Sequence, residues 1–230
     1  MQVRLKPGNL YRELIVKAAR TKKTAKGKTI AGGSDGVKME TLPLAIDATA
    51  GLGEDALLLA AAGFRVILYE SDPVIAALLR DALQRASEIP ALAALVNRME
   101  LREEDSIAAL RRDYRNWEME KPEQALRSVP GVGTSVTPTV IYLDPMFPER
   151  QKSALVKKKF QLLQRLESPC ANEEELLAAA LAASPHKILI KRPLKGPWLA
   201  GVKPAYSLSG KAVRIDVLLP AGLSPETQFE

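Results

Sequence analysis

The sequence predicts an α/β protein with a doubly wound, mostly parallel seven-stranded sheet that ends in an antiparallel hairpin. Three observations predict this fold class. From residue 44 onward, short apolar runs alternate with longer segments of helical pattern, as in parallel sheets covered by helices. The first apolar run ends in a glycine loop that opens a helix. The last two runs are joined by a Ser209-Gly210 turn, which is a hairpin signal.

Seven apolar runs are predicted as strands. The five parallel strands are predicted at Leu44–Ala48, Phe64–Tyr69, Arg98–Arg102, Thr139–Leu143 and Lys187–Lys191. The hairpin strands are predicted at Ala205–Leu208 and Ala212–Leu219. Because a hairpin reverses the chain, we expect an antiparallel strand to close the parallel sheet.

Helical patterns fill most of the intervals between these strands. Gly63 fits the position that follows a helix end, and Pro73 fits the first turn of the next helix. Prolines and glycines within 120–138 predict a long loop, as do the Gly and Lys residues within 23–38. The predicted helices are 9–22, Glu54–Ala62, Pro73–Ser87, Ser106 to about Trp117, 152–166 and 173–183.

The composition limits the functions that the chain can have. Its 230 residues are 47% hydrophobic, which suits one α/β domain with a small appendage. Cys170 is the single cysteine and His186 the single histidine, which argues against disulfides, zinc sites and Ser/His triads. No window of 18 uncharged apolar residues occurs, and the N-terminus is too charged for a signal peptide. We expect a cytoplasmic protein that uses neither a metal nor a membrane.

Positive charge is concentrated in the first 30 residues. They hold nine Lys and Arg residues and one acid, Glu13, whereas the other 200 residues hold 24 basic and 26 acidic side chains. Such a segment can bind the phosphates of a nucleic acid, or it can be a solvated tail. We predict a basic N-terminal arm that docks the substrate, residues 1–40, followed by one α/β domain, residues 41–230.

Candidate binding residues follow the first strand, because ligands of doubly wound sheets bind at the carboxyl ends of the strands. Gly51 and Gly53 allow the backbone to turn sharply and to approach a ligand closely. Asp47 can order this loop or accept a hydrogen bond from the ligand. The pattern is shared with dinucleotide-binding folds, and a tight strand–helix turn without a ligand also explains it.

The second and third strands are followed by further polar residues. Glu70 can bind both hydroxyl groups of a ribose, although an acid that initiates a helix also fits this position. Glu104, Asp105 and Ser106 can reach the edge of an adenine, although helix capping explains one of them. These positions predict a cofactor that contains a nucleoside.

The segment after the fourth strand, Asp144-Pro145-Met146-Phe147-Pro148, distinguishes the possible functions. A nucleobase amine is a poor nucleophile because its lone pair is delocalised into the ring. The Asp144 carboxylate and the Pro145 carbonyl can accept its N–H groups and orient the lone pair toward a methyl donor. Phe147 can stack on the base. The segment therefore predicts methyl transfer to a planar amine, although a rigid turn with Phe147 in the core also fits.

Basic residues surround this predicted site. Lys191 and Arg192 follow the fifth strand and are expected at the same rim of the sheet. A second basic cluster can bind phosphates near the target base, or it can be a solvated helix face. This cluster consists of Arg150, Lys152, Lys157, Lys158 and Lys159.

Together these motifs resemble the ribosomal RNA small subunit methyltransferase J family over about residues 42–219. The resemblance is carried by the segments Asp47–Gly53 with Asp55, Pro73–Leu79, Tyr142–Pro148, Gln151–Lys158 and Lys191–Pro193. It implies a Rossmann-like class I methyltransferase fold that uses S-adenosylmethionine (SAM) and releases S-adenosylhomocysteine. It also implies methyl transfer to the exocyclic N2 amine of a guanosine in small-subunit (16S) rRNA, free or in a 30S-type particle.

The resemblance further implies which residues contact SAM. They are Glu54, Asp55, Glu70, Ser71, Asp105, Ser106 and Asp144. Members of the family commonly have Arg in place of Glu54 and Ser in place of Asp105. The basic residues within 1–30 and 150–159 are expected to contact the rRNA.

Three other functions stay open from the sequence. The target amine can be adenine N6 or a protein amide, because an Asp-Pro-x-Phe segment suits any planar amine. An NAD(P)-dependent oxidoreductase explains the glycine loop and Glu70, but neither the Asp144–Pro148 segment nor the hairpin. A non-catalytic RNA-binding protein has little reason to keep Asp47, Glu70 and Asp144 together.

Overall fold

The computed structural model describes residues 2–20, 42–114, 137–145 and 172–220. The predicted loop at 23–38 and the predicted helix at 152–166 lie outside these ranges. Within them, no helix is long and apolar enough to cross a membrane.

Seven strands form one sheet, which confirms the predicted fold class. Their order is β3-β2-β1-β4-β5-β7-β6, and β7 runs antiparallel to both of its neighbours while every other pair is parallel. The chain order reverses between β1 and β4, so the crevice at their carboxyl ends is the switch point where ligands of such sheets bind. The strands are β1 (Leu44–Asp47), β2 (Arg65–Tyr69), β3 (Met99–Arg102), β4 (Val140–Leu143), β5 (Lys187–Pro193), β6 (Tyr206–Ser209) and β7 (Val213–Leu218).

The strand boundaries agree closely with the predicted ones, and β5 differs most. It continues to Pro193 because its ladder with β7 continues to the pair formed by Pro193 and Val213. Alternate side chains of each strand enter opposite apolar layers, as the pleat of a strand requires. Ala45 of β1, for example, joins the layer that contains Ile15 and Leu58, whereas Ile46 joins the layer that contains Leu110 and Leu177.

Helices pack on both faces of the sheet. They are α1 (Gln2–Leu5), α2 (Pro7–Leu10), α3 (Leu14–Ala19), α4 (Glu54–Ala61), α5 (Pro73–Ser87), α6 (Pro90–Val96), α7 (Ser106–Tyr114) and α8 (Glu173–Ala182). A short 3-10 turn follows at Leu199–Gly201. Helix α6 is absent from the sequence-based prediction, although Pro90 at its first turn and the Ala and Leu residues after it favour a helix.

The N-terminal segment differs from the single helix predicted at 9–22. It forms three short helices, and α3 packs against α4 and against strands β5, β6 and β7. Ile15, Val16, Ala18 and Ala19 of α3 are buried in the same apolar layer as the sheet. Helix α3 ends at Ala19 because Arg20 has an extended ψ of 132°. The beginning of the chain is therefore part of the core.

Candidate cofactor and active site

The end of β1 is linked to the end of β4 through two hydrogen bonds. Asp47 is the last residue of β1, and its side-chain Oδ1 accepts the Thr49 N–H at 3.1 Å. The Thr49 hydroxyl oxygen accepts the Asp144 N–H at 2.7 Å. Asp47 is only 1% exposed, and burial raises its pKa to about 8 although the Thr49 N–H favours the ionised form. The two strand ends are thus held together at the switch point.

The glycine loop after β1 has the backbone conformation that the sequence predicts. Gly51 has a φ of 51° and Gly53 a φ of 70°, a region that favours glycine. Gly53 also lies against α5, since a Cβ built on it would be 2.8 Å from Leu79 Cδ1. The loop therefore requires glycine at position 53 both for its turn and for its close packing.

Glu70, directly after β2, binds this loop. Its carboxylate accepts the Gly51 N–H at 2.9 Å and the Asp72 N–H at 2.8 Å, one on each oxygen. Burial raises the pKa of Glu70, while the backbone N–H groups of Asp72, Gly51 and Ser71 oppose the shift. A carboxylate has about four acceptor positions, so it can accept further hydrogen bonds from hydroxyl groups. The arrangement is suited to two adjacent hydroxyl groups.

Charged side chains from α4, β4 and β5 form a network beside the loop. Lys191 Nζ donates to Asp55 Oδ2 at 2.9 Å and to Asp144 Oδ2 at 2.8 Å. The Tyr142 hydroxyl donates to Asp55 Oδ2 at 2.7 Å. From the N-terminal segment, Arg4 Nη2 lies 3.8 Å from Asp55 Oδ1. We call the four residues Asp55, Tyr142, Asp144 and Lys191 the Lys191 network.

The network shifts the pKa values of its two carboxyl groups in opposite directions. Burial raises the pKa of Asp55, but Lys191 and the Tyr142 hydroxyl outweigh it, so that its pKa is lowered. Burial also raises the pKa of Asp144, and here Lys191 offsets only part of the shift. Burial lowers the pKa of Lys191, but the two carboxylates outweigh it and raise that pKa, so Lys191 stays an ammonium.

The polar residues after β3 cap a helix and form an ion pair, and the cap is one of the two roles that the sequence predicts for them. Asp105 Oδ1 accepts the Ala108 N–H at 2.8 Å and caps α7. Glu104 forms an ion pair with Arg112 at 2.8 Å. Ser106, the first residue of α7, is buried, whereas Asp105 is exposed. Capping uses one oxygen of Asp105, and no residue that the structure describes donates a hydrogen bond to the other.

A family model for SAM-dependent methyltransferases matches residues 6–220 of the chain. The chain belongs to the SAM-dependent methyltransferase family.

Relatives and a solved structure fit this assignment. A protein named ribosomal RNA small subunit methyltransferase J from Pseudomonas fluorescens SBW25 is 41% identical over 190 residues, 83% of this chain and 65% of that protein. A protein of the same name from Pseudomonas aeruginosa PAO1 is 42% identical over 182 residues, 79% of this chain and 62% of that protein. The chain thus spans less than two thirds of their length. A SAM-dependent methyltransferase structure from Neisseria gonorrhoeae has a TM-score of 0.58 and 29% identity, and the match covers 80% of this chain and 68% of that one.

The polar groups at this end of the sheet suit a cofactor that contains a ribose. Glu70 can accept hydrogen bonds from ribose hydroxyls, and the backbone at Gly51 and Gly53 carries no side chain that would block a close approach. Ser71 and Glu54 are exposed beside them. These groups all lie at the carboxyl ends of the first two strands, where the fold places its ligand.

The structure describes some of the predicted site residues and not others. Asp144 follows β4 as predicted, and Pro145 is buried next to it. Phe147 and the basic cluster within 150–159 lie outside the described residues. Sequence reasoning missed Thr49 and Tyr142 as members of the site. Tyr142 had a signal, since it stands two residues before Asp144 and therefore points to the same face of the strand.

Proposed function

We propose that this protein transfers a methyl group from SAM to the exocyclic N2 amine of a guanosine in small-subunit rRNA. The observation that carries the proposal is the position of Asp144. It lies at the end of β4, hydrogen-bonded to Thr49 beside the glycine loop, so that an acceptor for an amine is adjacent to the predicted cofactor site. The names of the curated relatives support rRNA as the substrate.

We propose that the cofactor is bound by side chains and backbone of the three strand ends. When bound, SAM supplies an electrophilic methyl group. Glu70 would accept the ribose hydroxyls, Asp47 would order the loop, and the residues after β3 would face the adenine. The proposed set is Asp47, Gly51, Gly53, Glu54, Asp55, Glu70, Ser71, Asp105, Ser106 and Asp144.

In the proposed mechanism, Asp144 and Pro145 orient the amine. The Asp144 carboxylate and the Pro145 carbonyl would accept its two N–H groups and direct the nitrogen lone pair toward the methyl group of SAM. In a single in-line displacement the N–C bond would form as the S–C bond breaks, with S-adenosylhomocysteine as the leaving group. Phe147 would stack on the guanine. After transfer, the nitrogen loses one proton, to Asp144 or to solvent.

We propose that the rRNA contacts the N-terminal segment and the basic cluster within 150–159. Lys6, Arg12, Lys17 and Arg20 are exposed in the described part of that segment. Their positive charges can bind phosphates by releasing counterions. An rRNA substrate would place the protein in the cytoplasm.

The test is methylation of unmodified 30S particles and of free 16S rRNA, followed by mass analysis of the nucleosides. We expect N2-methylguanosine from the wild type and a loss of at least about 100-fold in Asp144→Ala, because an orienting acceptor is removed. Asp81→Ala is the control, since the partner of Asp81 among the described residues is Arg85, on the exposed side of α5. N6-methyladenosine, or full activity in Asp144→Ala, would contradict the proposal.

A further inference from the structure

We propose that Lys191 is a positioning residue for methyl transfer, whose ammonium fixes one oxygen of Asp144 and leaves the other to accept the substrate amine. This inference rests on the proposed function. Lys191 lies in β5, one position beyond Ile190, which forms the last residue pair of β5 with β4, opposite Leu143. That register brings Lys191 alongside Asp144.

The two carboxylates of the Lys191 network differ in how they are held. Asp55 Oδ2 accepts from both Lys191 and Tyr142, and Arg4 lies near its other oxygen. The Asp144 side chain is 37% exposed, and among the described residues its only hydrogen-bond partner is Lys191, on Oδ2. Loss of Lys191 would therefore leave Asp55 anchored but would release Asp144.

One fixed oxygen and one available oxygen are the arrangement that an amine acceptor needs. A carboxylate anchored at Oδ2 has a defined plane, so the lone pairs of Oδ1 point in fixed directions. An incoming N–H can then be bound without first ordering the side chain, which reduces the entropy lost on reaching the reactive geometry. The 2.8 Å contact with a positive donor is the charge-assisted kind that restricts a side chain most strongly.

Lys191 also determines the charge of Asp144. Two other groups act on this carboxylate: the Asp55 carboxylate disfavours its ionised form, and the Arg192 guanidinium favours it. The Tyr142 hydroxyl, whose pKa burial raises well above its ordinary value, stays neutral. Among the groups that lower the pKa of Asp144 against the effect of burial, the Lys191 ammonium has the largest effect. Its removal should raise the pKa of Asp144, so that ionised Asp144 would form only at higher pH.

The experiment compares the pH dependence of kcat in Lys191→Met, Lys191→Arg and the wild type on 30S particles. For Lys191→Met we expect a fall in kcat of about 100-fold, from lost orientation. We also expect its acid limb to move to higher pH by about 1 to 3 units, the effect of removing an adjacent opposite charge. Lys191→Arg keeps the charge and should restore the acid limb to the wild-type position. Calorimetry should show a smaller change in the Kd for SAM than in kcat, because Asp55 keeps the Tyr142 hydroxyl and the other proposed cofactor contacts are unchanged in Lys191→Met.

Lys203→Met is the matched control. Lys203 is exposed and precedes the edge strand β6, which β7 separates from β5, so the kcat and pH profile of this variant should equal those of the wild type. Should Lys191→Met fail to fold, Lys191→Gln repeats the measurement with a neutral side chain that still donates a hydrogen bond. A neutral Lys191 variant with wild-type kcat and an unmoved acid limb would overturn the inference. Lack of activity in the wild type would instead refute the proposed function.

Discussion

At the scale of single residues, Asp47 carries an unusual energetic cost. It is the last residue of β1 and is almost fully buried, with the Thr49 N–H as its hydrogen-bond donor. Burial of an ionised carboxylate is unfavourable, so its pKa rises to about 8. Asp47 therefore lowers the stability of the protein at high pH, while it supplies a polar group beside the proposed cofactor site.

Asp47→Asn should change how stability depends on pH. The pKa of Asp47 is higher in the folded state than in the unfolded state, so its stabilising contribution is complete below about pH 4 and is lost as the pH rises toward about 8. The amide of Asn cannot ionise. We therefore expect urea unfolding to show that the free energy of unfolding of Asp47→Asn rises relative to that of the wild type by on the order of a few kcal/mol between about pH 5 and about pH 8.5. A difference that stays constant across this range would contradict the assignment.

At the scale of elements, the loop before α5 combines a helix cap with a binding residue. The Asp72 side chain accepts the Val74 N–H at 2.8 Å and the Ile75 N–H at 3.0 Å, which caps α5. The Asp72 backbone N–H donates a hydrogen bond to the Glu70 carboxylate. Formation of the helix end and orientation of the Glu70 carboxylate therefore depend on the same short segment.

Asp72→Ala should lower the free energy of unfolding by about 1 kcal/mol, because two N–H groups at the start of α5 lose their acceptor. Asp72→Ser keeps an N-cap acceptor and should recover most of this loss. Chemical denaturation of the three proteins measures both effects. Equal stability of the Ala and Ser variants would show that the cap contributes little.

At the scale of the whole molecule, the N-terminal segment has a buried apolar face and an exposed basic face. Its apolar side chains, including Leu10, Ile15 and Val16, complete the core beside the sheet, while Lys6 and Lys17 are exposed. Lys187, from the start of β5, donates to the Ala18 and Arg20 carbonyls and so fixes the end of α3. The division of the chain into a docking arm and a domain at residue 40 stays a proposal. If the N-terminal segment docks the substrate, it does so while its apolar side chains are part of the core of the sheet.

Ile15→Ala should destabilise the protein by about 2 to 4 kcal/mol, because it leaves a cavity in a buried layer. Lys17→Ala, on the exposed side of the same helix, should change stability by no more than about 0.5 kcal/mol. Urea unfolding of both variants separates the two faces of α3. If α3 were only a docking arm, both substitutions would leave the stability unchanged.

The sequence by itself determined the fold class and the positions of Asp47, Gly53, Glu70 and Asp144 at strand ends. These features are local, since apolar periodicity, glycine turns and proline boundaries are set by neighbouring residues. Only the tertiary structure decided that Lys191 binds Asp55 and Asp144, and that α3 belongs to the core. Such contacts join residues far apart in the chain, and they depend on strand order and register, which no local pattern encodes.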